Sequence, residues 1–136
     1  MKGAQLYLID VMARLAASQV VAGITVISEH VSEDRGYFRA RPLLTNGDLL
    51  ELSEYFIIQA GIPVTQGYRY QWMDPLQKLV KRWDNAEHFP GLPNFPHHVH
   101  DGDERHVIPG RSLSTIELIE LIELQSGCKL VGMAED

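Results

Sequence analysis

At 136 residues and a formal net charge of −6, the chain has the size of one domain and the wrong charge for a protein that coats nucleic acid by charge alone. Its single cysteine, Cys128, excludes a disulfide framework and a cysteine-rich zinc site. The longest apolar run, residues 16–27, is too short to span a membrane, and no signal peptide is recognisable. We therefore expect a cytoplasmic protein without a membrane partner, with one domain over residues 1–126 and a short tail over residues 127–136.

The first half of the sequence predicts one helix followed by strands. Apolar residues recur at helical spacing over residues 3–19, which predicts an amphipathic helix. Beyond it, β-branched and polar residues alternate, as in half-buried strands. The Asn46-Gly47 pair predicts a hairpin, because both central positions of such a turn favour positive φ. The helical stripe consists of Leu8, Val11, Met12 and Leu15, and the five predicted strands are residues 24–31, 37–44, 49–58, 64–73 and 78–83.

Residues 85–111 break this regularity. They contain four of the seven prolines, and proline removes the backbone donor that a sheet ladder needs. We expect a long loop without strand pairing, and loops of this length are often functional. Ser114-x-x-Glu117 is a capping box that starts a second helix, and Gly127 is its predicted end. The expected fold is therefore α+β, a five-stranded antiparallel meander with an N-terminal and a C-terminal helix packed against it.

The second helix is apolar around most of its circumference. Ile-Glu-Leu occurs three times over residues 116–124. On a helix, the three glutamates lie within an arc of about 120° of the circumference. The apolar remainder is wider than one packing face needs. We expect the helix to bury one side on the sheet and the other against a second copy in a homodimer, unless the first helix or the long loop covers the excess.

Charge is distributed unevenly along the chain. Residues 35–82 contain seven basic and four acidic side chains, whereas residues 117–136 contain one basic and five acidic. The middle of the chain is therefore suited to a polyanion such as RNA, and the end is not. Both segments also fit ordinary solvated faces, so charge alone does not decide between these interpretations.

Five of the six histidines lie in the proline-rich segment. Imidazole titrates near neutral pH, so such a cluster suits general acid–base chemistry, for example RNA cleavage at the 2′-hydroxyl. One ring would take the hydroxyl proton, another would protonate the leaving oxygen, and cations would stabilise the phosphorane. The candidate catalytic residues are His88, His97, His98, His100, Arg82 and Asp84. The candidate RNA-binding residues are Arg69, Lys81, Tyr70 and Trp83, which combine backbone-binding cations with rings for base stacking.

Two other uses of the histidines stay open. His98-x-His100 and His97-x-x-His100 have spacings found in zinc or nickel sites, and Asp84 or Asp101 could complete a tetrahedral set. No His-Glu-x-x-His motif supports a hydrolytic zinc site, so we expect no native cofactor and only adventitious zinc or nickel. In the third use, the rings are structural and tie the loop to backbone carbonyls.

Three stretches give the chain a resemblance to a known family. They are Tyr68-Arg69-Tyr70-Gln71-Trp72, Trp83-Asp84-Asn85-Ala86-Glu87-His88 and Phe95-Pro96-His97-His98-Val99-His100. Through these motifs, residues 20–125 resemble the TumE family of small prokaryotic proteins. Its members are regarded as toxins of two-gene toxin–antitoxin modules, neutralised by a helix-turn-helix antitoxin. The resemblance therefore implies growth inhibition by an action on RNA.

These observations lead to one functional hypothesis and one alternative. We expect the toxin of a type II module, a metal-independent ribonuclease whose basic strands hold RNA and whose loop histidines move protons. Its expected partners are RNA and a helix-turn-helix antitoxin. The alternative is a non-enzymatic interaction or metal-binding module with a structural histidine loop. An open histidine cluster beside cationic side chains favours the first, and buried rings favour the second.

Overall fold

The computed structural model describes the backbone of residues 3–135 and the side chains of residues 3–126. One sheet of seven strands lies between two helices in the chain order, and each strand pairs antiparallel with the next. The elements are α1 (Gly3–Ala17), β1 (Val21–Val31), β2 (Arg35–Leu44), β3 (Leu49–Gln59), β4 (Ile62–Met73), β5 (Leu79–Asp84), β6 (His98–Asp101), β7 (Val107–Pro109) and α2 (Thr115–Glu135). The α+β class and the antiparallel meander are confirmed, but the predicted count of five strands is wrong.

The two additional strands, β6 and β7, lie inside the segment predicted as an unpaired loop. Most of its prolines precede β6, and Pro109 ends β7, an edge strand of the described sheet, where no further strand needs its backbone donor. The connecting turn begins with Asp101-Gly102, and Gly102 has a φ of +75°. An Asp-Gly pair is a hairpin signal, so this sequence contained a cue for β6 and β7 that the proline count obscured.

Side-chain alternation gives the sheet an inner and an outer face. Phe38, Leu52 and Tyr70 belong to the inner face and are buried in one core with apolar residues of both helices. The predicted stripe of α1 is confirmed, because Leu8 and Leu15 are buried in the same core. Within the described part of the chain, neither helix has the length and apolar character needed to cross a bilayer.

The Asn46-Gly47 turn is confirmed as the link between β2 and β3. Gly47 has a φ of +94°, whereas Asn46 is not among the residues with positive φ, so only one turn position uses the left-handed region. The next residue, Asp48, accepts a hydrogen bond of 2.8 Å from the indole nitrogen of Trp72. The turn is thereby joined to the buried side of the sheet.

The capping box at the start of α2 is also confirmed. Ser114 Oγ accepts from the Glu117 backbone nitrogen at 3.2 Å, and Glu117 Oε1 accepts from the Ser114 backbone nitrogen at 3.0 Å. The helix runs through Gly127 to Glu135, so it does not end where the sequence predicts. The side chains of residues 127–136, the predicted tail with Cys128, lie outside the described residues, and the tail stays a prediction.

The apolar circumference of α2 is covered mainly by its own chain. Leu118 and Ile122 are fully buried, and Glu123 accepts hydrogen bonds from Arg14 of α1 at 2.9 and 2.5 Å. Among the described side chains of α2, Leu124 is the apolar residue that is largely exposed, at 61%. Residues of α1 and of the sheet thus cover most of the described apolar surface of α2, as in the alternative that the sequence left open, and a homodimer through residues 116–124 stays a prediction.

A buried carboxylate joins both helices to the sheet. Glu54 of β3 is fully buried and accepts from Tyr7 Oη at 2.8 Å and from Thr65 Oγ1 at 2.7 Å. It also accepts from the hydroxyl and the backbone nitrogen of Thr115 at 2.7 and 3.0 Å, at the first turn of α2. Burial and the neighbouring carboxylate raise the pKa of Tyr7 well above its usual value. In the sequence, Glu54 counted only as one of the acids of the basic segment, and no buried role was predicted for it.

Candidate functional site

The strand register lines up polar side chains in two rows across the outer face of the sheet. The first row, from β2 to β6, is Arg39, Ser53, Arg69, Asp84 and His98. The second row, from β4 to β6, is Gln71, Arg82 and His100. Adjacent strands lie only about 4.8 Å apart, so residues distant in sequence become neighbours. The rows bring together five of the ten predicted site residues: Arg69, Arg82, Asp84, His98 and His100.

Asp84, His98 and His100 form the centre of this arrangement, which we call the Asp–His cluster. Asp84 Oδ1 lies 3.0 Å from Nε2 of His98, and Oδ2 lies 3.8 Å from Nε2 of His100. The centroids of the two imidazole rings are 5.0 Å apart, and the ring planes are nearly perpendicular. All three side chains are less than 10% exposed, so their interactions are shielded from water.

Backbone carbonyls determine which ring nitrogen carries the proton. Nδ1 of His98 lies 3.0 Å from the carbonyl oxygen of Pro96, and Nδ1 of His100 lies 2.8 Å from that of Glu104. Since a carbonyl oxygen only accepts, each Nδ1 is the donor and each neutral ring presents an Nε2 lone pair. Among the described residues, Nε2 of His98 has no hydrogen-bond partner, because the 3.0 Å approach to Asp84 lacks hydrogen-bond geometry.

Arg82 connects the Asp–His cluster to the surface. Its Nε lies 3.4 Å from Asp84 Oδ2, and its two Nη atoms donate to both carboxylate oxygens of Glu104 at 2.5 and 2.6 Å. Hydrogen bonding between the two side chains, together with their opposite charges, raises the pKa of Arg82 and lowers that of Glu104. The Arg82 side chain is 11% exposed and that of Glu104 is 61% exposed. The route from solvent to the cluster therefore passes the Glu104 carboxylate, which is already bound to the Arg82 guanidinium.

Phe89 covers the two histidines. It comes from the irregular residues 85–97, and its ring lies 4.9 Å from that of His98 and 6.0 Å from that of His100. The expected open, solvent-reachable cluster is therefore wrong for these two rings. They are not part of the inner core either, since they lie on the outer face, where an aromatic ring from a separate segment excludes water.

The other two predicted histidines lie apart from the Asp–His cluster. The His97 ring stacks on Tyr68 with centroids 5.9 Å apart, and Nδ1 lies 2.9 Å from the tyrosine hydroxyl oxygen. His88 is exposed and contacts Phe89 at its ring edge, 6.2 Å away. His97 points away from His98 because successive side chains alternate in direction along an extended chain.

Burial and the neighbouring His98 lower the pKa of His97. The unfolded chain therefore binds more protons than the folded one once the pH falls below about 6.5, and stability decreases in that direction. We expect His97→Gln to reduce this acid-side loss, measured as urea midpoints between pH 7.5 and pH 5. His106→Gln, at an exposed turn position, is the control. An unchanged pH dependence in His97→Gln would contradict the assignment.

Three of the predicted RNA-binding residues do not lie on the outer face. Tyr70 and Trp83 are register partners on the inner face and are 0% and 7% exposed, so neither ring is available to stack on a base. Lys81 shares the face of Trp83, because residues two apart along a strand point the same way. Arg69 alone of the four lies beside the Asp–His cluster, as the register partner of Asp84.

Sequence reasoning missed several residues of the outer face. They are Arg39, Ser53, Gln71, Phe89 and Glu104. Alternation along β2 was a usable signal for Arg39, since arginines at 39 and 41 flank the buried Ala40. The pairing that brings Arg39 into the row of Asp84 depends on strand register, which the sequence pattern does not contain.

The fold and the site together define an α+β protein with a buried Asp–His cluster beside a row of arginines on one face of an antiparallel sheet. A family model described as Toxin TumE matches residues 11–123. The chain therefore belongs to the TumE toxin family, as its motifs predicted, and membership of a toxin family suggests an antitoxin as partner. No curated protein and no solved structure matches the chain.

Proposed function

We propose that this toxin is a ribonuclease that binds RNA phosphates on the outer face of the sheet and cleaves beside His98 and His100. In this proposal it belongs to a type II module, acts in the cytoplasm and is neutralised by a helix-turn-helix antitoxin. The observation that carries the proposal is the register of β2 to β6, which aligns Arg39, Arg69 and the Asp–His cluster in one row.

The arginine end of the row supports phosphate binding. Arg39 and Arg69 flank Ser53 in a shallow groove, and neither has a carboxylate within ion-pair distance among the described side chains. Their guanidinium groups can therefore bind a phosphate without breaking an existing ion pair. Arg41 lines the same groove and has only a long contact, 3.9 Å, with Glu51.

The histidine end of the row supports proton transfer. The ring centroids of His98 and His100 are 5.0 Å apart, close enough for one ring, entering the reaction neutral, to take the 2′-hydroxyl proton and for the other, entering as imidazolium, to give a proton to the leaving oxygen. Arg82 is the cation nearest to them through Asp84, and it would stabilise the phosphorane. Because both rings are covered, the proposal requires RNA to displace Phe89 from the rings and Glu104 from Arg82.

Replacing Arg39 and Arg69 with alanine is the test of the RNA-binding surface. Removing two phosphate-binding cations is expected to weaken RNA binding by about 10-fold or more at low salt. The slope of log K against log salt should become shallower by about 0.7 for each phosphate that the variant no longer neutralises on single-stranded RNA. Binding is measured by fluorescence anisotropy over a salt series.

Lys81→Ala is the matched control, because it removes one cation from the inner face of the same sheet. It should leave RNA affinity and salt dependence unchanged. An equal loss in Lys81→Ala would mean that net charge rather than the outer face governs binding. Unchanged affinity in the double arginine variant would contradict the proposed surface.

One observation favours the non-enzymatic alternative. His98 and His100 are buried and each Nδ1 is bonded to a backbone carbonyl, the arrangement expected of structural histidines. In that case the protein inhibits growth by binding alone. Incubating purified protein with end-labelled RNA separates the two functions, since only a ribonuclease shortens the RNA while a binding module leaves it intact.

A further inference from the structure

The Asp–His cluster has lone pairs pointing inward. Asp84 accepts from the Ala86 backbone nitrogen at 3.0 Å and from Arg82 Nε at 3.4 Å, but among the described residues no donor serves Nε2 of His98. The Nδ1 protons of both rings are used by backbone carbonyls, so neutral rings direct two Nε2 lone pairs toward the Asp84 carboxylate. At His98 this places two acceptors 3.0 Å apart in a site that is 1% exposed. Such an arrangement is unfavourable unless a proton or a metal cation lies between the acceptors, and a metal cation would also engage Nε2 of His100, which lies 3.8 Å from Asp84.

We propose that Asp84, His98 and His100 bind a divalent transition-metal ion, with Zn²⁺ as the best match. The ligand atoms are one carboxylate oxygen of Asp84 and Nε2 of each histidine. This inference goes beyond the proposed ribonuclease function, because the ion is assigned from the ligand geometry and not from RNA chemistry. A bound ion would occupy the Nε2 atoms that direct proton transfer needs, so in a metal-bound cluster the ion's open position, and not the rings, would serve the reaction.

The separations between the ligand atoms agree with such a site. One ligand atom from each of the three residues lies within 4.8 Å of the other two. Ligands at Zn–N and Zn–O distances near 2.1 Å in a tetrahedral arrangement lie about 3.4 Å apart. The 3.0 and 3.8 Å contacts to Asp84 lie on either side of this value. Three protein ligands leave a fourth position for water or a phosphate oxygen.

The surroundings of the rings also match those of metal-ligating histidines. Such histidines almost always donate their second ring nitrogen to a carbonyl or carboxylate, which sets the tautomer and the ring orientation. Pro96 and Glu104 supply these carbonyls. Phe89 excludes water from one side of the rings, which strengthens the attraction between ion and ligands.

Two nearby arginines oppose a cation in the cluster: Arg69, the register partner of Asp84, and Arg82, the one that contacts the Asp84 carboxylate at ion-pair distance among the described side chains. The Arg82 guanidinium lies 3.4 Å from Asp84, but both of its Nη atoms are bound by the Glu104 carboxylate. The ion pair with Glu104 offsets most of the positive charge of Arg82. The negative charge of the Asp84 carboxylate is therefore available to attract a metal ion. The buried, prearranged ligand set distinguishes this site from the adventitious surface binding that sequence spacing alone suggested.

The test uses full-length protein without a histidine tag. The protein is stripped with EDTA, dialysed, and titrated with Zn²⁺ by calorimetry and with Co²⁺ by visible absorption. We expect about one ion per chain, and a rise in thermal midpoint when Zn²⁺ is added, because the ion binds the folded state preferentially. Asp84→Asn and His100→Ala should lower the Zn²⁺ affinity by more than about 100-fold.

His106→Ala is the matched control, because it removes an exposed imidazole from the same region without touching the Asp–His cluster. Circular dichroism checks each variant, and His100→Gln replaces His100→Ala should the alanine variant not fold. Absence of binding overturns the proposal. Binding that Asp84→Asn and His100→Ala retain, or that His106→Ala loses equally, means an adventitious ion only and overturns it too.

The two proposals fail separately. A chain that binds one Zn²⁺ through the cluster but leaves RNA intact keeps the metal site and loses the ribonuclease function. A chain that cleaves RNA in EDTA and binds no Zn²⁺ keeps the ribonuclease function and loses the metal site.

Discussion

The Glu54→Ala variant is expected to lose about 3–5 kcal/mol of unfolding free energy, a large share of the stability of a domain this size. Glu54 accepts four hydrogen bonds in a fully buried position, from Tyr7, Thr65 and both the hydroxyl and the backbone nitrogen of Thr115. Hydrogen bonds to a charged group contribute about 1.5–3 kcal/mol each, and truncation leaves the donors of Tyr7 and Thr115 buried without this acceptor, whereas the half-buried Thr65 can turn to water. The loss is measured by urea unfolding monitored through tryptophan fluorescence.

Two variants place limits on this expectation. Glu54→Gln keeps the volume but presents an amide that accepts through one oxygen only, so an intermediate loss is expected. Glu51→Ala changes the same residue type on the same strand, on the outer face, where its 3.9 Å contact with Arg41 is worth at most about 1 kcal/mol. Equal losses in Glu51→Ala and Glu54→Ala would show that the buried network has no special role.

The His100→Gln variant is expected to lower RNA cleavage by about 10²- to 10⁴-fold, the usual contribution of a positioned proton donor or acceptor. Glutamine keeps a polar side chain that can bond the Glu104 carbonyl, so the fold should survive. Cleavage of labelled RNA by purified protein and growth arrest on induced expression are the two measurements. His106→Gln, outside the cluster, should retain both activities.

The same assay distinguishes the two roles of the imidazoles. If the rings transfer protons directly, cleavage by the unaltered protein persists in EDTA and shows a bell-shaped pH profile. If they act as metal ligands in the reaction, EDTA abolishes cleavage and Zn²⁺ restores it. A folded His100→Gln protein that remains fully toxic would contradict a functional role for the cluster in either form.

Features that depend on nearby residues could be predicted from the sequence. The stripe of α1, the Asn46-Gly47 hairpin and the Ser114–Glu117 capping box each involve residues within a few positions of one another, and all three are confirmed. The placement of Arg82 and Asp84 at the end of a strand was predictable for the same reason, since the alternation of β5 stops there.

Features that depend on distant segments could not be read from the same patterns. Alternation in β4 separates Tyr70 from Arg69 but does not say which of the two the helices cover. In the folded protein the helices pack on the face of Tyr70, which is therefore a core residue, and Arg69 lies on the opposite face beside the Asp–His cluster. The prolines likewise concealed β6, whose pairing with β5 is what brings His98 next to Asp84.

The local patterns thus predicted the helices, five of the strands and the residue types that we propose to carry the chemistry. Register across five strands and the packing of Phe89 then decided that His98 and His100 are covered, that their Nε2 atoms meet at Asp84, and that Arg39 continues the row. The physical reason is that hydrogen-bond ladders and ring packing join residues tens of positions apart. Their free energy depends on the folded arrangement as a whole, so no short stretch of sequence encodes it.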